Sequence, residues 1–505
     1  MPRFASIDMG SNASRLRIVE ADEPGAIREV TALRVPVRLG RGVFLTGKLD
    51  PRAIDQAVAA LRSFAEAIED AEVERYRAVV TASAREADNS EQLISRVRSA
   101  TGIALEAIDG GEEARLVKLA VSRAMDLRER RTLLMDLGGG SLEITEVERG
   151  ETIFSRSLEI GTVRLLESFL SSGKAVEPLQ ERLLGEYLDR MLAQLAPELA
   201  RKRYDVVAGT GGNFEAIAQL ASRPESPRVI DVPRARALLE RIARLTPKQR
   251  REQLGLRADR ADVIVPALYV LLAVADAARA QEVAAPGVGL KDGIVFELVD
   301  KYFRVWDYRG EDDATASAAL QLGRRYHFDE AHALQVDRLA LELFDALSTL
   351  HKLGPKERRY LRLAAILHDV GDFIHFASHH KHTQYLIEHS ELMGMSPTER
   401  LVVGCIARYH RRALPSTKHA SYRALDPGQR AIVRKLAGLL RIADALDREH
   451  LGKVEGVDAQ VGREGVTLVV RGRGDIALEL WTVERKAALF EKALRKKLVV
   501  RVVSA

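Results

Sequence analysis

Two short segments of this 505-residue chain share a pattern that suits phosphate chemistry. Residues 7–12 spell Ile-Asp-Met-Gly-Ser-Asn, and residues 135–141 spell Met-Asp-Leu-Gly-Gly-Gly-Ser. In both, an apolar strand leads into an aspartate and a Gly/Ser turn, and a second strand with β-branched residues follows. Backbone amides of such turns can face phosphate oxygens, because glycine permits dihedrals and close approach that other residues disfavour. Two such hairpins facing each other across a cleft, each with an aspartate able to hold a metal ion or a water, predict phosphoryl chemistry.

A pair of glutamates between the two hairpins could activate an attacking water. Residues 108–116 spell Ile-Asp-Gly-Gly-Glu-Glu-Ala-Arg-Leu, a glycine turn followed by the start of a helix. A carboxylate in the first turn of a helix beside the cleft can act as a general base, which contributes about 10² to 10⁴-fold to the rate. The same glutamates could instead only complement the helix dipole. The segment by itself leaves both interpretations open.

The elements that must position these residues form two similar lobes. In residues 1–125, strand-like segments alternate with an amphipathic helix at 52–69, for which Asp50 is a suitable N-cap and Pro51 fits the first turn. Residues 126–305 repeat the order of strand, Asp-Gly turn, strand and helices, with further glycine-rich turns. The repetition predicts an α/β fold in which a duplicated lobe surrounds a cleft.

The character of the chain changes after the second lobe. Residues 306–452 have helical periodicity almost throughout and contain all twelve histidines. Residues 453–505 form a small α+β pattern, with strands predicted at 466–470, 476–480 and 498–503 and a helix at 483–497. Four domains are therefore predicted, with boundaries near residues 125, 305 and 452.

Composition restricts the setting and the partners of the chain. A single cysteine, Cys405, rules out an intrachain disulfide and favours a reducing, cytoplasmic compartment. The longest apolar run, residues 263–278, is interrupted by Pro266 and Asp276 and is too short to span a membrane. A net charge of +5 and an aromatic content of 5% give little support for nucleic-acid binding. We therefore expect a cytoplasmic enzyme without membrane or nucleic-acid partners.

Five motifs occur in the order that is typical of one known family. They are Asp-x-Gly-Ser-Asn from residue 8 with Arg15, residues 81–85, Gly-x-Glu-Glu-Ala-Arg-Leu, Asp-Leu-Gly-Gly-Gly-Ser-x-Glu, and Gly-Thr-Gly-Gly. Together they resemble the exopolyphosphatase/guanosine pentaphosphate phosphohydrolase (Ppx/GppA) family over residues 4–300. The C-terminal region is similar to that of the longer members. The resemblance implies two actin-like (ASKHA, ribonuclease H-like) lobes, a hydrolase acting on phosphoanhydrides, and a homodimer.

The resemblance also implies roles for individual residues. By position in the motifs, Glu113 would be the catalytic base, Arg85 would bind a phosphate near the scissile bond, and Asp136 with Glu143 would hold Mg²⁺. The remaining matched positions would bind the phosphates: Asp8, Gly10, Ser11, Asn12, Arg15, Gly138, Gly139, Gly140, Ser141, Gly209, Thr210, Gly211 and Gly212.

One position departs from the family pattern. Ala13 stands where members usually have serine, so that either Ser14 compensates or one phosphate contact is missing.

Histidines and aspartates of the helical region match a second motif set. Their order and approximate spacing resemble those of an HD phosphohydrolase domain, which predicts four metal ligands: His332, His368, Asp369 and Asp444. Imidazole and carboxylate groups from separate helices can bind a divalent metal ion. His380, His382 and His410 could extend the set to a second ion. Family members often have degraded ligands here, whereas this chain retains the set, which predicts metal binding and a second phosphohydrolase activity.

Several functions stay open at this point. The leading hypothesis is release of orthophosphate from the end of inorganic polyphosphate, and the alternative is removal of the 5′ γ-phosphate of guanosine pentaphosphate (pppGpp). An ATP-dependent kinase of the same superfold would place a nucleotide against the glycine-rich segments 209–212 and 287–293, but it leaves the Glu-Glu-Ala-Arg segment without a role. A non-catalytic nucleotide sensor would bind its ligand without releasing phosphate.

Overall fold

The computed structural model describes residues 1–170, 173–195, 199, 203–303, 308–375, 378–390, 392, 394–463 and 465–504, with the side chains of 308–312, 314 and 504 left aside. The chain divides into two compact units, Met1–Trp306 and Asp307–Ala505. The finer division into four domains stays a prediction. Within the described parts of the chain, every helix is too short or too polar to cross a membrane.

The first lobe is built on a five-stranded sheet with the order β3-β2-β1-β4-β5. Its strands are β1 Arg3–Met9, β2 Ser14–Glu23, β3 Ala26–Val35, β4 Arg75–Val80 and β5 Leu105–Ala107. Its helices are α1 Val43–Thr46, α2 Pro51–Asp70, α3 Ala82–Arg85, α4 Ser90–Thr101 and α5 Gly110–Ala124. Strand β1 pairs antiparallel with β2 and parallel with β4. Strands β1 and β2 flank the turn that carries the predicted phosphate-binding residues of this lobe.

Helix α2 begins where its sequence pattern predicts. The Asp50 carboxylate accepts hydrogen bonds from the backbone N–H groups of Arg52 and Ala53, and Pro51 occupies the first turn. The buried residues recur at three- and four-residue spacing and cover the sheet: Ile54, Ala57, Val58, Leu61 and Phe64.

The second lobe repeats the plan on a seven-stranded sheet with the order β10-β11-β12-β9-β6-β7-β8. Its strands are β6 Arg131–Leu137, β7 Leu142–Glu148, β8 Glu151–Leu158, β9 Val206–Thr210, β10 Ser222–Arg223, β11 Ser226–Asp231 and β12 Glu282–Ala284. Its main helices are α6 Thr162–Phe169, α7 Pro178–Ala193, α8 Gly212–Ala221, α9 Val232–Ala243, α10 Pro247–Leu254, α11 Ala258–Ala261, α12 Ile264–Ala277 and α13 Leu290–Tyr302. Strand β6 pairs antiparallel with β7 and parallel with β9, which is the relation that β1 has to β2 and β4.

The second unit is helical, with a three-stranded sheet at its C-terminal end. The helices are α14 Tyr308–Arg325, α15 Glu330–Ala346, α16 Ser348–His351, α17 Pro355–Leu367, α18 His379–His389, α19 Pro397–Arg408, α20 Ala420–Ala424, α21 Pro427–Ala445 and α22 Ala477–Leu494. Residues Val370–Phe373 form a 3₁₀ turn. The sheet has the order β13-β14-β15, formed by Val454–Val461, Gly465–Gly472 and Lys497–Ser504.

The C-terminal pattern was predicted only in part. Residues 477–480 open helix α22, so the strand predicted at 476–480 is wrong, and the strand at Val454–Val461 was not predicted. The apolar residues at 476, 478 and 480 alternate as in a strand, but the segment from 477 onward is rich in Ala, Leu and Glu, which have high helix propensity. Helix α22 packs on α21 and shares its buried residues with the core of this unit.

Candidate active site

The two Asp-Gly hairpins, residues 3–23 and 131–148, close their turns in the same way. In the first, the Gly10 N–H donates to the Ala13 carbonyl at 3.2 Å, and in the second the Gly138 N–H donates to the Ser141 carbonyl at 3.0 Å. The turns approach each other closely, because a Cβ on Gly139 would lie 2.8 Å from the Cβ of Ser11. A side chain at position 139 would therefore force the two hairpins apart.

An open cleft of about 290 Å³ lies between the hairpins. Most of the predicted phosphate-binding and catalytic positions line it: Asp8, Gly10, Ser11, Asn12, Arg15, Glu113, Asp136, Gly138, Gly139, Gly211 and Gly212. Ala13 also lines the cleft, whereas Ser14 is fully buried in strand β2. The side chain of Ser14 therefore does not replace the serine that the family has at position 13.

Four of the predicted phosphate-binding residues lie behind the cleft and support its walls. A Cβ on Gly140 would lie 2.6 Å from the Cβ of Ala82, and one on Gly209 would lie 2.1 Å from the ring of Phe214. The Thr210 hydroxyl donates to Asp136 Oδ1 at 2.6 Å. The fourth, Ser141, is buried beside Glu143. These four residues therefore allow close packing behind the cleft or help to orient the residues that line it.

Three carboxylates from different elements converge at the floor of the cleft. One oxygen from each of Glu113, Asp136 and Glu143 lies within 4.8 Å of the others. Asp109 caps helix α5 by accepting the Glu112 N–H at 2.9 Å, which places Glu113 in the first turn. Asp136 is the last residue but one of strand β6, and Glu143 lies opposite it on β7. The predicted base and the predicted metal ligands thus form one cluster.

This carboxylate cluster fits a hard divalent cation. All three residues are buried, and Glu113 Oε2 and Glu143 Oε2 have no hydrogen-bond partner among the described residues. Buried carboxylate oxygens without partners are costly, and a bound cation removes that cost. A donor set made only of carboxylate oxygens is the kind that Mg²⁺ prefers. Glu143 Oε1 is already held, because it accepts the Ser157 hydroxyl at 2.8 Å.

Burial and nearby negative charges raise the pKa values of the three carboxyls. Burial is the largest cause in each case; it raises the pKa of Glu143 to about 8 and that of Asp136 to about 6. The pKa of Glu113 lies well above its usual range because of burial and the negative charges of Glu143 and Asp136. A carboxyl whose pKa is raised toward neutrality is suited to take a proton from water.

Arg85 borders the carboxylate cluster. It ends the short helix α3, and its Nη1 donates to the Ile108 carbonyl at 3.2 Å, just before the helix that carries Glu113. Its positive charge opposes the rise in the pKa of Glu113 and of Glu143. The guanidinium therefore contributes positive charge next to the buried carboxylates.

A group of basic residues on the wall of the cleft was not predicted. Arg34, Arg257, Arg260 and Lys291 line the same cavity as the two turns. Burial and the charge of Arg15 lower the pKa of Arg260 to about 10. The three arginines lie outside any glycine turn or recognisable motif, so their spacing in the sequence gave no signal, whereas Lys291 lies in the glycine-rich segment 287–293.

In the helical unit, the four predicted metal ligands come together. His332 Nε2 and His368 Nε2 lie 3.2 Å apart, and each lies 3.9 Å from Asp444 Oδ1. Asp369 Oδ2 lies 3.4 Å from His368 Nε2.

Of the histidines considered for a second ion, His410 joins this cluster, and His379 joins it in place of His380 and His382. Successive side chains of a helix point about 100° apart, so of the neighbours His379 and His380 only one can face the cluster.

Comparisons with known proteins identify the family of the chain. The model of the Ppx/GppA phosphatase family matches residues 18–302, and that of Ppx/GppA phosphatase domain III matches residues 315–471. The guanosine-5′-triphosphate,3′-diphosphate pyrophosphatase of Aeromonas hydrophila is 26% identical over 93% of this chain and 92% of its own length. The protein of the same name from Vibrio vulnificus is 26% identical over 90% of this chain and 88% of its own length.

Solved structures resemble the N-terminal part of the chain. The exopolyphosphatase of Cytophaga hutchinsonii has a TM-score of 0.55 at 25% identity and covers 59% of this chain and 98% of its own. The Ppx/GppA family member of Aquifex aeolicus has a TM-score of 0.50 at 25% identity, with 61% and 99% covered. The predicted fold class and family are confirmed, while the HD-like character of the helical region stays a prediction. The chain belongs to the Ppx/GppA phosphatase family and is a hydrolase of phosphoanhydride bonds.

Proposed function

We propose that the cleft hydrolyses the terminal phosphoanhydride bond of inorganic polyphosphate and releases orthophosphate, with Glu113 as general base. The observation that carries the proposal is the place of Glu113: a buried carboxyl with a raised pKa stands beside Asp136 and Glu143, in the cavity that the two glycine turns also line. This combines a base, a cation site and backbone amides within one cavity.

Different residues of the cleft carry out different parts of the proposed reaction. Glu113 takes a proton from the attacking water, the water oxygen forms a bond to the terminal phosphorus, and the bridging P–O bond breaks. The N–H groups of Gly10 and Gly138 close their own turns, so the turns would face phosphate oxygens with other backbone N–H groups, and Arg85 supplies positive charge. Asp136 and Glu143 would hold Mg²⁺, which neutralises charge on the phosphoryl oxygens when it is bound.

The basic residues on the wall of the cleft favour a substrate that carries several phosphates. Arg34, Arg257, Arg260 and Lys291 extend the positive lining beyond the two turns. A phosphate chain that enters the cleft would replace repulsion between Arg15 and Arg260 by attraction to its own charges. This arrangement suits a long polyanion whose end reaches Glu113.

A second candidate substrate is pppGpp, and one observation favours it. The relatives that match this chain over nearly its full length bear the name guanosine-5′-triphosphate,3′-diphosphate pyrophosphatase. The same base, turns and cation site could remove the 5′ γ-phosphate of that nucleotide.

The test is orthophosphate release from long-chain polyphosphate and from pppGpp, measured side by side for wild type, Glu113→Ala and a control. We expect Glu113→Ala to lower kcat by about 10² to 10⁴-fold with the preferred substrate. Glu91→Gln removes an exposed carboxylate from the same lobe and should leave kcat unchanged.

The outcomes separate the candidate functions. A higher kcat/KM for polyphosphate supports the first substrate, and a higher value for pppGpp replaces it with the second. Equal rates for wild type and Glu113→Ala would remove the proposed base. Transfer of label from ATP to an acceptor other than water would favour a kinase, and binding without phosphate release would favour a sensor.

A further inference from the structure

The two neighbouring glutamates at the start of helix α5 have different partners. Glu113 lines the cleft and belongs to the carboxylate cluster. The Glu112 carboxylate instead pairs with Arg77 of strand β4 and with Arg115 of its own helix. Glu297 of helix α13 pairs with the same two arginines. We propose that this ionic ring of Arg77, Glu112, Arg115 and Glu297 positions Glu113 by fixing α5 on β4 and α13, a role that rests on the function proposed for the cleft.

The ionic ring is closed, because each guanidinium contacts both carboxylates. Arg77 Nη1 lies 2.9 Å from Glu112 Oε1 and 2.8 Å from Glu297 Oε2. Arg115 Nε lies 2.7 Å from Glu112 Oε2, and its Nη2 lies 2.6 Å from Glu297 Oε1. Two elements, β4 and α13, are therefore tied to the beginning of α5 at the residue next to the proposed base.

Both carboxylates of the ring are buried and stay ionised at neutral pH. The side chain of Glu297 is 3% exposed and that of Glu112 is 10% exposed. Burial raises the pKa of each carboxyl, but the charges of the neighbouring cations outweigh it, so that the pKa of Glu297 falls to about 2 and that of Glu112 lies below its usual range. The pKa of Glu113 shifts upward instead, because of burial and neighbouring carboxylates. Adjacent glutamates with opposite shifts suit different tasks.

Glu113 needs support because the surrounding carboxylates repel it. Its Oε2 has no hydrogen-bond partner among the described residues. One oxygen from each of Asp136 and Glu143 lies within 4.8 Å of a Glu113 oxygen, and like charges at this distance push each other apart. The place of the Glu113 side chain therefore depends on the backbone of α5. Glu112 anchors that backbone from a direction about 100° away around the helix.

The ring lies beside the closest approach of α5 and α13. A Cβ on Gly293 would lie 2.0 Å from the carbonyl oxygen of Leu116, so a side chain at position 293 would push the two helices apart. Leu116 follows Arg115 in α5, and Gly293 lies one turn before Glu297 in α13. Helix α13 also carries Lys291, which lines the cleft. The joint therefore relates the proposed base to the wall of the cleft.

The test detaches α5 from the ring without leaving a charge unbalanced. The double variant Glu112→Gln/Arg115→Gln removes one anion and one cation, and it leaves Arg77 paired with Glu297. We expect kcat, on the faster of the two substrates polyphosphate and pppGpp, to fall roughly 10- to 100-fold, because a displacement of about 1 Å from the reacting geometry has a cost of that order. KM should stay the same, because none of the four ring residues lines the cleft.

A second ion pair between the same two helices provides the matched control. Arg123 Nη2 donates to Asp300 Oδ1, ten residues after Glu113 and near the other end of α5. The double variant Arg123→Gln/Asp300→Asn also removes one cation and one anion, and it should keep the wild-type kcat. Urea unfolding of both double variants measures what each pair contributes to stability, so that kcat is compared under conditions in which every protein is folded.

A third variant reaches the same joint without changing a charge. Gly293→Ala places a methyl group against the Leu116 carbonyl and displaces α13 from α5. It should also lower kcat and leave KM unchanged. This variant keeps the test decisive if the ring variant does not fold.

The Glu113→Ala background shows whether the ring acts through the proposed base. There, Glu112→Gln/Arg115→Gln should lower the residual kcat no further, because no base is left to displace. A change that weakened the whole lobe would lower the residual rate as well.

The outcomes separate the role of the ring from the function proposed for the cleft. Wild-type kcat in Glu113→Ala would overturn the proposed base and the ring's role with it. A slow Glu113→Ala together with wild-type kcat in the folded Glu112→Gln/Arg115→Gln protein, or in Gly293→Ala, would keep the base and overturn the ring's role alone. Equal losses of kcat in the two double variants, or a further loss on the Glu113→Ala background, would also overturn it.

Discussion

The two Asp-Gly hairpins share a backbone arrangement but differ in the charges that their strands place opposite each other. In the first, Asp8 stands opposite Arg15 in the strand register, and in the second Asp136 stands opposite Glu143. Both turns close with the same hydrogen bond from the glycine two residues after the aspartate. One architecture therefore carries a pair of opposite charges in one lobe and a pair of like charges in the other.

The difference in charge assigns different tasks to the hairpins. Asp8 and Arg15 form a salt bridge at 3.0 Å, so the first hairpin balances its own charge and can present a guanidinium to phosphate. In the second, Asp136 and Glu143 are buried with Glu113, and their pKa values rise. The second hairpin therefore needs a cation from solution, whereas the first does not.

Among changes to the two hairpins, the largest expected effect comes from removing the aspartate of each hairpin in turn. Asp136→Asn removes a proposed Mg²⁺ ligand and should lower kcat by about 10² to 10³-fold, the cost typical of losing one charge-stabilising group. It should also raise the Mg²⁺ concentration needed for half-maximal rate. Asp8→Asn should lower kcat less and leave the Mg²⁺ dependence unchanged. Equal Mg²⁺ dependences in both variants would contradict the assignment of tasks.

The buried carboxyls of the second hairpin should make the stability of the folded protein depend on pH. Burial raises the folded-state pKa of Glu143 from 4.5 to about 8 and that of Asp136 from 3.8 to about 6, so the folded chain holds these protons more tightly than the unfolded chain. Their contribution to stability is therefore greatest at low pH and falls as pH rises toward about 8. The change should reach a few kcal/mol, since one pKa unit corresponds to about 1.4 kcal/mol.

Urea unfolding of metal-free protein between pH 5 and pH 8 measures this effect. Glu143→Gln should flatten the pH dependence relative to wild type, and Mg²⁺ should stabilise wild type more at pH 8 than at pH 5. The same slope in wild type and variant would show that the carboxylate cluster does not control stability in this range.

A smaller effect is expected at the guanidinium of the first hairpin. Arg15→Gln removes a charged hydrogen-bond donor worth about 1.5 to 3 kcal/mol, so KM for polyphosphate should rise roughly 10- to 100-fold, with a smaller change in kcat. Because this variant also leaves Asp8 without its partner, the double variant Asp8→Asn/Arg15→Gln serves as the control. A rise in KM that the double variant abolishes would show that the unpaired Asp8, not the missing phosphate contact, is responsible.

What the sequence could predict depends on how local each feature is. The turns at Gly10 and Gly138, the Asp50 cap of helix α2 and the place of Glu113 in the first turn of α5 all follow from residues a few positions apart. Patterns of this range are visible in a single sequence. Their convergence at one cleft was expected from the family resemblance.

Features that depend on distant packing were missed. Gly140 is small because Ala82, from a distant part of the sequence, lies against it, so a glycine motif alone could not separate Gly140 from the glycines that line the cleft. Arg260 reaches the cleft from a part of the lobe more than 200 residues from Asp8. In the helical unit, the phase of helix α18 selects His379, and neighbouring histidines gave no means to predict that phase.

The smallest expected effect comes from making the two turns alike. Ala13 and Ser141 occupy equivalent places, since each supplies the carbonyl that closes its turn. Ala13 lines the cleft, so Ala13→Ser would add a hydroxyl facing the phosphate chain at the position where family members usually carry one. One neutral hydrogen bond is worth about 0.5 to 1.5 kcal/mol, so KM should fall roughly 2- to 10-fold while kcat stays the same.

Steady-state kinetics on polyphosphate measure this change, with Ala13→Gly as the control for altered packing. If Ala13→Ser leaves KM unchanged, the hydroxyl does not reach the phosphates, and Arg15 with the turn amides would account for the binding by the first hairpin.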